Sequence, residues 1–119
     1  MTILLKRAYE DASAEDGFRI LVDRIWPRGV RKDFAHIDFW AKDVTPTTSL
    51  RKWFAHDPMK WEEFKRNYVA ELESAHDAVT EFLHLLHQHD KVTFVYGAKD
   101  TKHTHALILQ AYMQERLEA

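Results

Sequence analysis

Two polar clusters, each following directly on an apolar run, carry the side chains that could do chemistry. In the first, Ile20, Leu21 and Val22 give way to Asp23, Arg24, Trp26, Pro27, Arg28 and Gly29. In the second, the run Val92–Tyr96 gives way to Gly97, Lys99, Asp100, His103 and His105. A carboxylate placed straight after a buried strand needs a partner, and Arg24 or Arg28 is the obvious supply. The same guanidinium forks suit a phosphate or carboxylate. Trp26 offers a face for a planar ligand, while Pro27 and Gly29 stiffen and turn the loop. The competing reading is an internal Asp–Arg pair that braces the loop, with Trp26 packed over the core.

In the second cluster a strand, a glycine and a polar helix start leave backbone N–H groups facing outward. That is an anion site in the making, helped by the helix dipole and by Lys99. It is not a phosphate loop, since only one glycine is present and the Gly-Lys-Ser/Thr ending is missing. His103 and His105 would project ~200° apart inside a helix, so they could share an ion only if the helix began near Thr104. A metal would also need a third ligand, from Asp23, His56 or Asp100. With no cysteine and no His-Glu-x-x-His run, the sequence calls for no metal and no other cofactor. Histidine titrates near neutrality, so the expected role of Asp23, His103 and His105 is acid–base catalysis. Arg24, Trp26, Arg28, Arg51 and Lys99 are the expected ligand contacts. Arg51 joins them because it lies two residues before Trp53 and so points away from that tryptophan's buried face. His56-Asp57-Pro58 reads as a capping turn, and His84, His87 and His89 as a solvated helix end that favours positive charge.

Elements must exist to position these groups. Ile3–Leu5 and Arg19–Asp23 predict two strands, joined through Asp11–Gly17 by either a hairpin or a crossover. Residues 37–42 suggest a short helix, Thr45–Ser49 interrupts it, and a further helix follows near Leu50–Phe54. Asp57 and Pro58 start the best-patterned helix, in which Trp61, Phe64, Tyr68 and Leu72 recur at three- and four-residue spacing. Val79, Phe82, Leu83 and Leu86 mark another helix. Val92–Tyr96, rich in β-branched and aromatic residues, is the next strand. A last helix from about Thr101 carries Leu107, Ile108, Ala111, Tyr112 and Leu117. This order predicts a single α/β domain over residues 1–119. Its expected form is a small three-layer fold, with a partly parallel sheet of about three or four strands covered by helices. Ligands of such folds sit outside the carboxyl ends of strands, so the two polar clusters should share one crevice.

Bulk properties narrow the function. The chain is 45% apolar and 30% charged, with few glycines and prolines, which excludes disorder. The absence of cysteine removes disulfides, thiolate metal sites and thiol nucleophiles, and suits a reducing cytoplasm. No apolar run approaches the ~18 residues of a membrane span, so no membrane partner is expected. The formal charge of −2 weighs against nucleic acid as a partner. The stretch from Arg24 to Lys52 is locally basic, however: Arg24, Arg28, Arg31, Lys32, Lys42, Arg51 and Lys52 face only Asp33, Asp38 and Asp43. Oligomeric state is not encoded in any recognisable pattern.

Three segments together carry a family resemblance. They are Asp23-Arg24-x-Trp26-Pro27-Arg28-Gly29, then Arg51-x-Trp53-Phe54-x-His56-Asp57-Pro58-x-x-Trp61-x-Glu63-Phe64, and finally Tyr96-x-Ala98-Lys99-Asp100 with His103-x-His105-Ala106. Over essentially its whole length the chain resembles the YeaO-like proteins, the uncharacterised bacterial family numbered 488 among domains of unknown function. The resemblance implies a small, free-standing, cytoplasmic bacterial α/β protein and brings no established reaction. A longer branch of that family places one cysteine before its final acidic stretch and another between the two histidines. Here those positions correspond to Gly97 or a neighbour and to Thr104, so thiol chemistry does not carry over. The resulting expectation is an enzyme or binding domain for a small phosphate- or carboxylate-bearing anion. A nucleic-acid-binding module, or an interaction domain without catalysis, is the alternative.

Overall fold

The computed structural model describes residues 1–119. Its strands are β1 (Thr2–Arg7), β2 (Phe18–Leu21), β3 (Phe39–Trp40) and β4 (Lys91–Tyr96). They form one sheet in the order β1-β4-β2-β3, with every neighbouring pair parallel. The first two strands therefore make no hairpin, because β4 enters between them. Side chains alternate across the sheet as the pleat requires. Val92, Phe94 and Tyr96 of β4 join Ile3 and Ile20 in the main core. Val95 points to the other face, where it packs with Ala8, Val30 and Ala35.

Four helices cover the main core: α2 (Thr48–Phe54), α3 (Trp61–Ser74), α4 (His76–His87) and α5 (His105–Glu118), numbered after the short α1 (Lys32–Ala35). The spacing read from the sequence is the spacing that is buried. In α3, Phe64, Tyr68 and Leu72 enter the core, and in α4, Val79, Phe82 and Leu86 do so. Each such side chain contributes roughly 1.5–3 kcal/mol of burial. Burial, reinforced by the neighbouring Glu71 charge, pushes the Tyr68 hydroxyl well above its ordinary range, so it stays protonated and donates to Val44 O.

The opposite face carries only α1 and the segments around it, a thin third layer. There Arg19 is buried in the sheet, and its guanidinium pairs with Asp16 and donates to Ala35 O. Lys6 reaches the same carboxylate at 3.1 Å and the Ser13 N–H donates to it at 2.9 Å. A buried ion pair is tolerable only when so surrounded. Gly17 follows at φ 66°, where a Cβ would lie 2.3 Å from Lys91 O, so only glycine fits this crossing.

Two expectations are corrected. Residues 37–42 form no helix: Phe39 and Trp40 pair with Ile20 and Leu21 as an edge strand. The ladder is extended by Asp38 N–H to Arg19 O and Ala41 N–H to Leu21 O. Tertiary pairing overrides the weak local pattern. The last helix begins at His105, four residues later than read, because the Thr104 side chain accepts the Ala106 N–H and caps it there. No helix is long and apolar enough to cross a membrane.

Candidate functional site

The parallel register brings the carboxyl ends of three strands to one edge, with Arg7 beside Tyr96 and Val95 beside Leu21. From that edge the chain leaves β2 towards β3, whereas it leaves β4 into α5, which packs back against β1. Diverging exits from adjacent parallel strands open a crevice between them. Here it is a cleft of about 550 Å³.

Both polar clusters line this cleft. Asp23, Arg24 and Arg28 come from the exit of β2, and Lys99, Asp100, His103 and His105 from the exit of β4. Arg51 arrives from α2 and has the same cleft before it. Further lining residues outside the expected acid–base and ligand-contact sets include Tyr9, Ile25, Phe54, His56 and Phe64. Tyr9 follows β1, whose exit was not read as part of the site. Phe64 comes from the core stripe of α3. His56 sits in a turn where Ala55 and His56 both adopt left-handed backbone, φ 47° and 58°, without a glycine to announce it.

The anticipated Asp23–arginine pair does not form. Asp23 Oδ2 accepts the Gly97 N–H at 2.9 Å, and Oδ1 lies 3.2 Å from His105 Nε2. Arg24 instead donates from Nε to Pro46 O at 2.9 Å, tying the loop before α2 to the strand edge. The physical reason is proximity: the glycine N–H at the end of the neighbouring strand is already at the carboxylate, and Gly97 has no side chain to hold it off.

His105 Nε2 is 2.7 Å from Val22 O. A carbonyl only accepts, so Nε2 carries the proton and donates it there. Asp23 Oδ1 is then left buried without a hydrogen bond. His103 is arranged differently. Its Nδ1 lies 2.8 Å from Asp100 Oδ2, which fixes the proton on Nδ1 and leaves Nε2 of the neutral ring as an acceptor. The ring stands edge-on to Trp61 at 5.5 Å between centroids.

The outward-facing amides expected at the start of α5 are consumed by the protein's own groups. Asp100 Oδ1 accepts the N–H of Lys102 at 2.9 Å and of His103 at 3.1 Å, and the Thr104 hydroxyl accepts that of Ala106. The bond from the Lys102 N–H, followed by those from the His103 ring and backbone, holds the Asp100 carboxyl below its ordinary value. The nest is filled from within, so it offers little to an external anion.

The cations are in the opposite state. Arg28, Arg51 and Lys99 form no salt bridge, while the two lining carboxylates are both engaged. Trp26 does not line the cleft. Its indole N–H donates to Val30 O at 2.7 Å and its ring meets Trp40 edge-on, so it is a packing residue of the thin layer. The lining holds no serine, and its one aliphatic hydroxyl, on Thr104, serves the helix cap. A histidine poised by a carboxylate is present, but no serine or cysteine and no free aliphatic hydroxyl stands with it. No group of three potential metal ligands comes together anywhere in the fold.

Residues 2–119 match the family described as "Inactive DUF488-N3 subclade". The chain belongs to this family. Among relatives of this DUF488-N3 chain is "Uncharacterized protein YeaO" of Escherichia coli (strain K12), 40% identical over 114 residues, spanning 96% of this chain and 98% of that protein. "Uncharacterized protein Rv3073c" of Mycobacterium tuberculosis (strain ATCC 25618 / H37Rv) is 38% identical, spanning 96% and 95%. "Uncharacterized protein Mb3100c" of Mycobacterium bovis (strain ATCC BAA-935 / AF2122/97) shows the same figures. No solved structure matches the chain.

Proposed function

We propose that the cleft at the carboxyl ends of β2 and β4 binds a small phosphate- or carboxylate-bearing anion without turning it over. The observation that carries this reading is that Arg28, Arg51 and Lys99, from three separate segments, reach one concavity with no carboxylate partner. Unpaired guanidinium groups in a cleft are stabilised most by an anion that accepts several charge-assisted hydrogen bonds at once. His103 adds a hydrogen-bonding group at the wall, oriented by Asp100. In this reading Asp23 and His105 brace the two strand ends rather than exchange protons with a ligand, since their polar atoms face each other and the main chain.

Binding is favoured over catalysis by the family description, which carries the word "inactive", and by the lining, which holds no serine or cysteine and commits its one aliphatic hydroxyl to a helix cap. The test is calorimetric titration with inorganic phosphate, sulfate and a short dicarboxylate, backed by thermal melting. A ligand at a hundredfold its dissociation constant stabilises by ~2.7 kcal/mol, a shift of several degrees for a domain of this size. Arg28→Ala and Arg51→Ala should each weaken phosphate binding about tenfold or more, as loss of a charged hydrogen bond of ~1.5–3 kcal/mol requires. Absence of heat and of any melting shift with every anion at tens of millimolar would refute the reading.

A further inference from the structure

We infer that the anion held by this cleft is a phosphate monoester with a flat aromatic body, the phosphate lying among the arginines and the ring lying on Tyr9 and Ile25. The inference rests on the anion reading above and adds the class of ligand. It starts from two side chains that the core leaves uncovered. Tyr9 is 46% exposed and Ile25 is 60% exposed, and both line the same cleft as the unpaired cations. A concave site that places apolar surface next to charge is complementary to a ligand with both characters.

Tyr9 is also held ready. Its hydroxyl donates to Arg28 O at 2.9 Å. The Arg7 guanidinium stands over its ring, 5.0 Å from the centroid. Arg7 is itself anchored, donating to Ala98 O at 2.8 Å and to Gly97 O at 3.1 Å. The ring is therefore fixed at its edge and backed by a cation on one face, yet still nearly half exposed. Pre-organised aromatic surface loses little entropy when a second ring stacks on it, and offset stacking is its preferred geometry. The ring is tied to the main chain of Arg28, so the aromatic surface lies beside the segment that supplies one of the unpaired cations. A volume of about 550 Å³ lies in the range of sites for organic ligands and is far more than bare phosphate fills.

The choice of phosphate over carboxylate follows from the donors. Two arginine forks and a lysine present more positive charge than one carboxylate can neutralise, and a phosphate monoester brings up to two negative charges and three peripheral oxygens.

The experiment titrates the full chain with inorganic phosphate, glycerol phosphate and phenyl phosphate. Phenyl phosphate should bind at least tenfold more tightly than the other two. Ile25→Ser, at an exposed position where folding is not at stake, should remove several-fold of that advantage and leave inorganic phosphate within twofold of the parent. Tyr9→Ser should lower affinity for phenyl phosphate several-fold more than affinity for inorganic phosphate, whereas Tyr9→Phe, which keeps the ring and loses the hydroxyl, should retain most of the preference. Equal affinity for all three phosphates, or variants that weaken inorganic phosphate as much as phenyl phosphate, would overturn the aromatic assignment while leaving anion binding intact. Binding of none of the three would overturn the anion reading and this inference together.

Discussion

Asp23 and Gly97 meet where β2 and β4 end, the carboxylate Oδ2 accepting the glycine N–H at 2.9 Å although 74 residues separate them in the chain. A Cβ on Gly97 would lie 3.0 Å from that oxygen and 3.3 Å from Pro27 Cβ. The contact therefore depends on both partners, one for its charge and one for its lack of a side chain. It locks together the two segments that supply most of the cleft.

Gly97→Ala should destabilise the fold by ~1–3 kcal/mol, because the added methyl displaces Asp23 and Pro27. Asp23→Ala should cost a similar ~1–3 kcal/mol by stranding the Gly97 N–H. Since both act on one contact, the double variant should lose clearly less than the two losses together. Urea unfolding of all four proteins gives the answer, and simple additivity would mean the contact contributes nothing of its own.

Arg51 separates a small-anion cleft from an extended nucleic-acid surface. For a phosphate gripped by a planar fork, Arg51→Lys should weaken binding nearly as much as Arg51→Ala. On a nucleic-acid groove the swap would be tolerated, since charge neutralisation dominates and affinity falls steeply with salt. Titration of both variants with phosphate and with a single-stranded oligonucleotide, at two salt concentrations, distinguishes them. Weak oligonucleotide binding at physiological salt is expected.

The turn between α2 and the next helix stores strain. Ala55 and His56 both occupy left-handed backbone, which costs an L-residue with a Cβ roughly 1–2 kcal/mol. Ala55→Gly should therefore raise stability by about 1 kcal/mol, an increase in melting temperature of several degrees. Gly17→Ala should do the reverse, given the approach of Lys91 O. A drop in melting temperature for Ala55→Gly would show that the turn carries no strain.

Acid should attack the sheet's thin side. Burial by itself would raise the Asp16 carboxyl, but the hydrogen bonds from Ser13, Lys6 and Arg19 outweigh it and hold the group below its ordinary value. A carboxyl depressed in the folded state contributes stability that is complete above the unfolded value of ~3.9 and is lost as pH falls through the lower, folded one. Asp16→Asn should thus be less stable at neutral pH, and its stability should fall less steeply below about pH 4. Parallel pH profiles for the two proteins would remove Asp16 from the acid transition.

Periodicity made most of the helical core legible. The stripe Phe64, Tyr68, Leu72 and the alternate residues Val92, Phe94 and Tyr96 reach the main core as their spacing implies, because burying apolar faces drives both local pattern and global packing. Phe39 and Trp40 depart from the helix their local pattern suggests for the complementary reason. A two-residue edge strand exists only because β2 is there to pair with it, and no local signal marks it.

The candidate site divides in the same way. Residue types, the strand-end rule and, for Arg51, helical spacing singled out Asp23, Arg24, Arg28, Arg51, Lys99, His103 and His105, and all of them line one cleft. Partnership was decided by the fold. Asp23 lies beside Arg24 in the chain, yet its carboxylate bonds to Gly97, because parallel register sets β4's exit against β2's. Tyr9, His56 and Phe64 entered the site, and Trp26 left it, by the same rule of which segments end up adjacent. The sequence determined which chemical groups and apolar faces were available, since those are properties of single residues and short spacings. Only the tertiary structure decided which cations remain unpaired, because pairing depends on distances between segments that local interactions do not set.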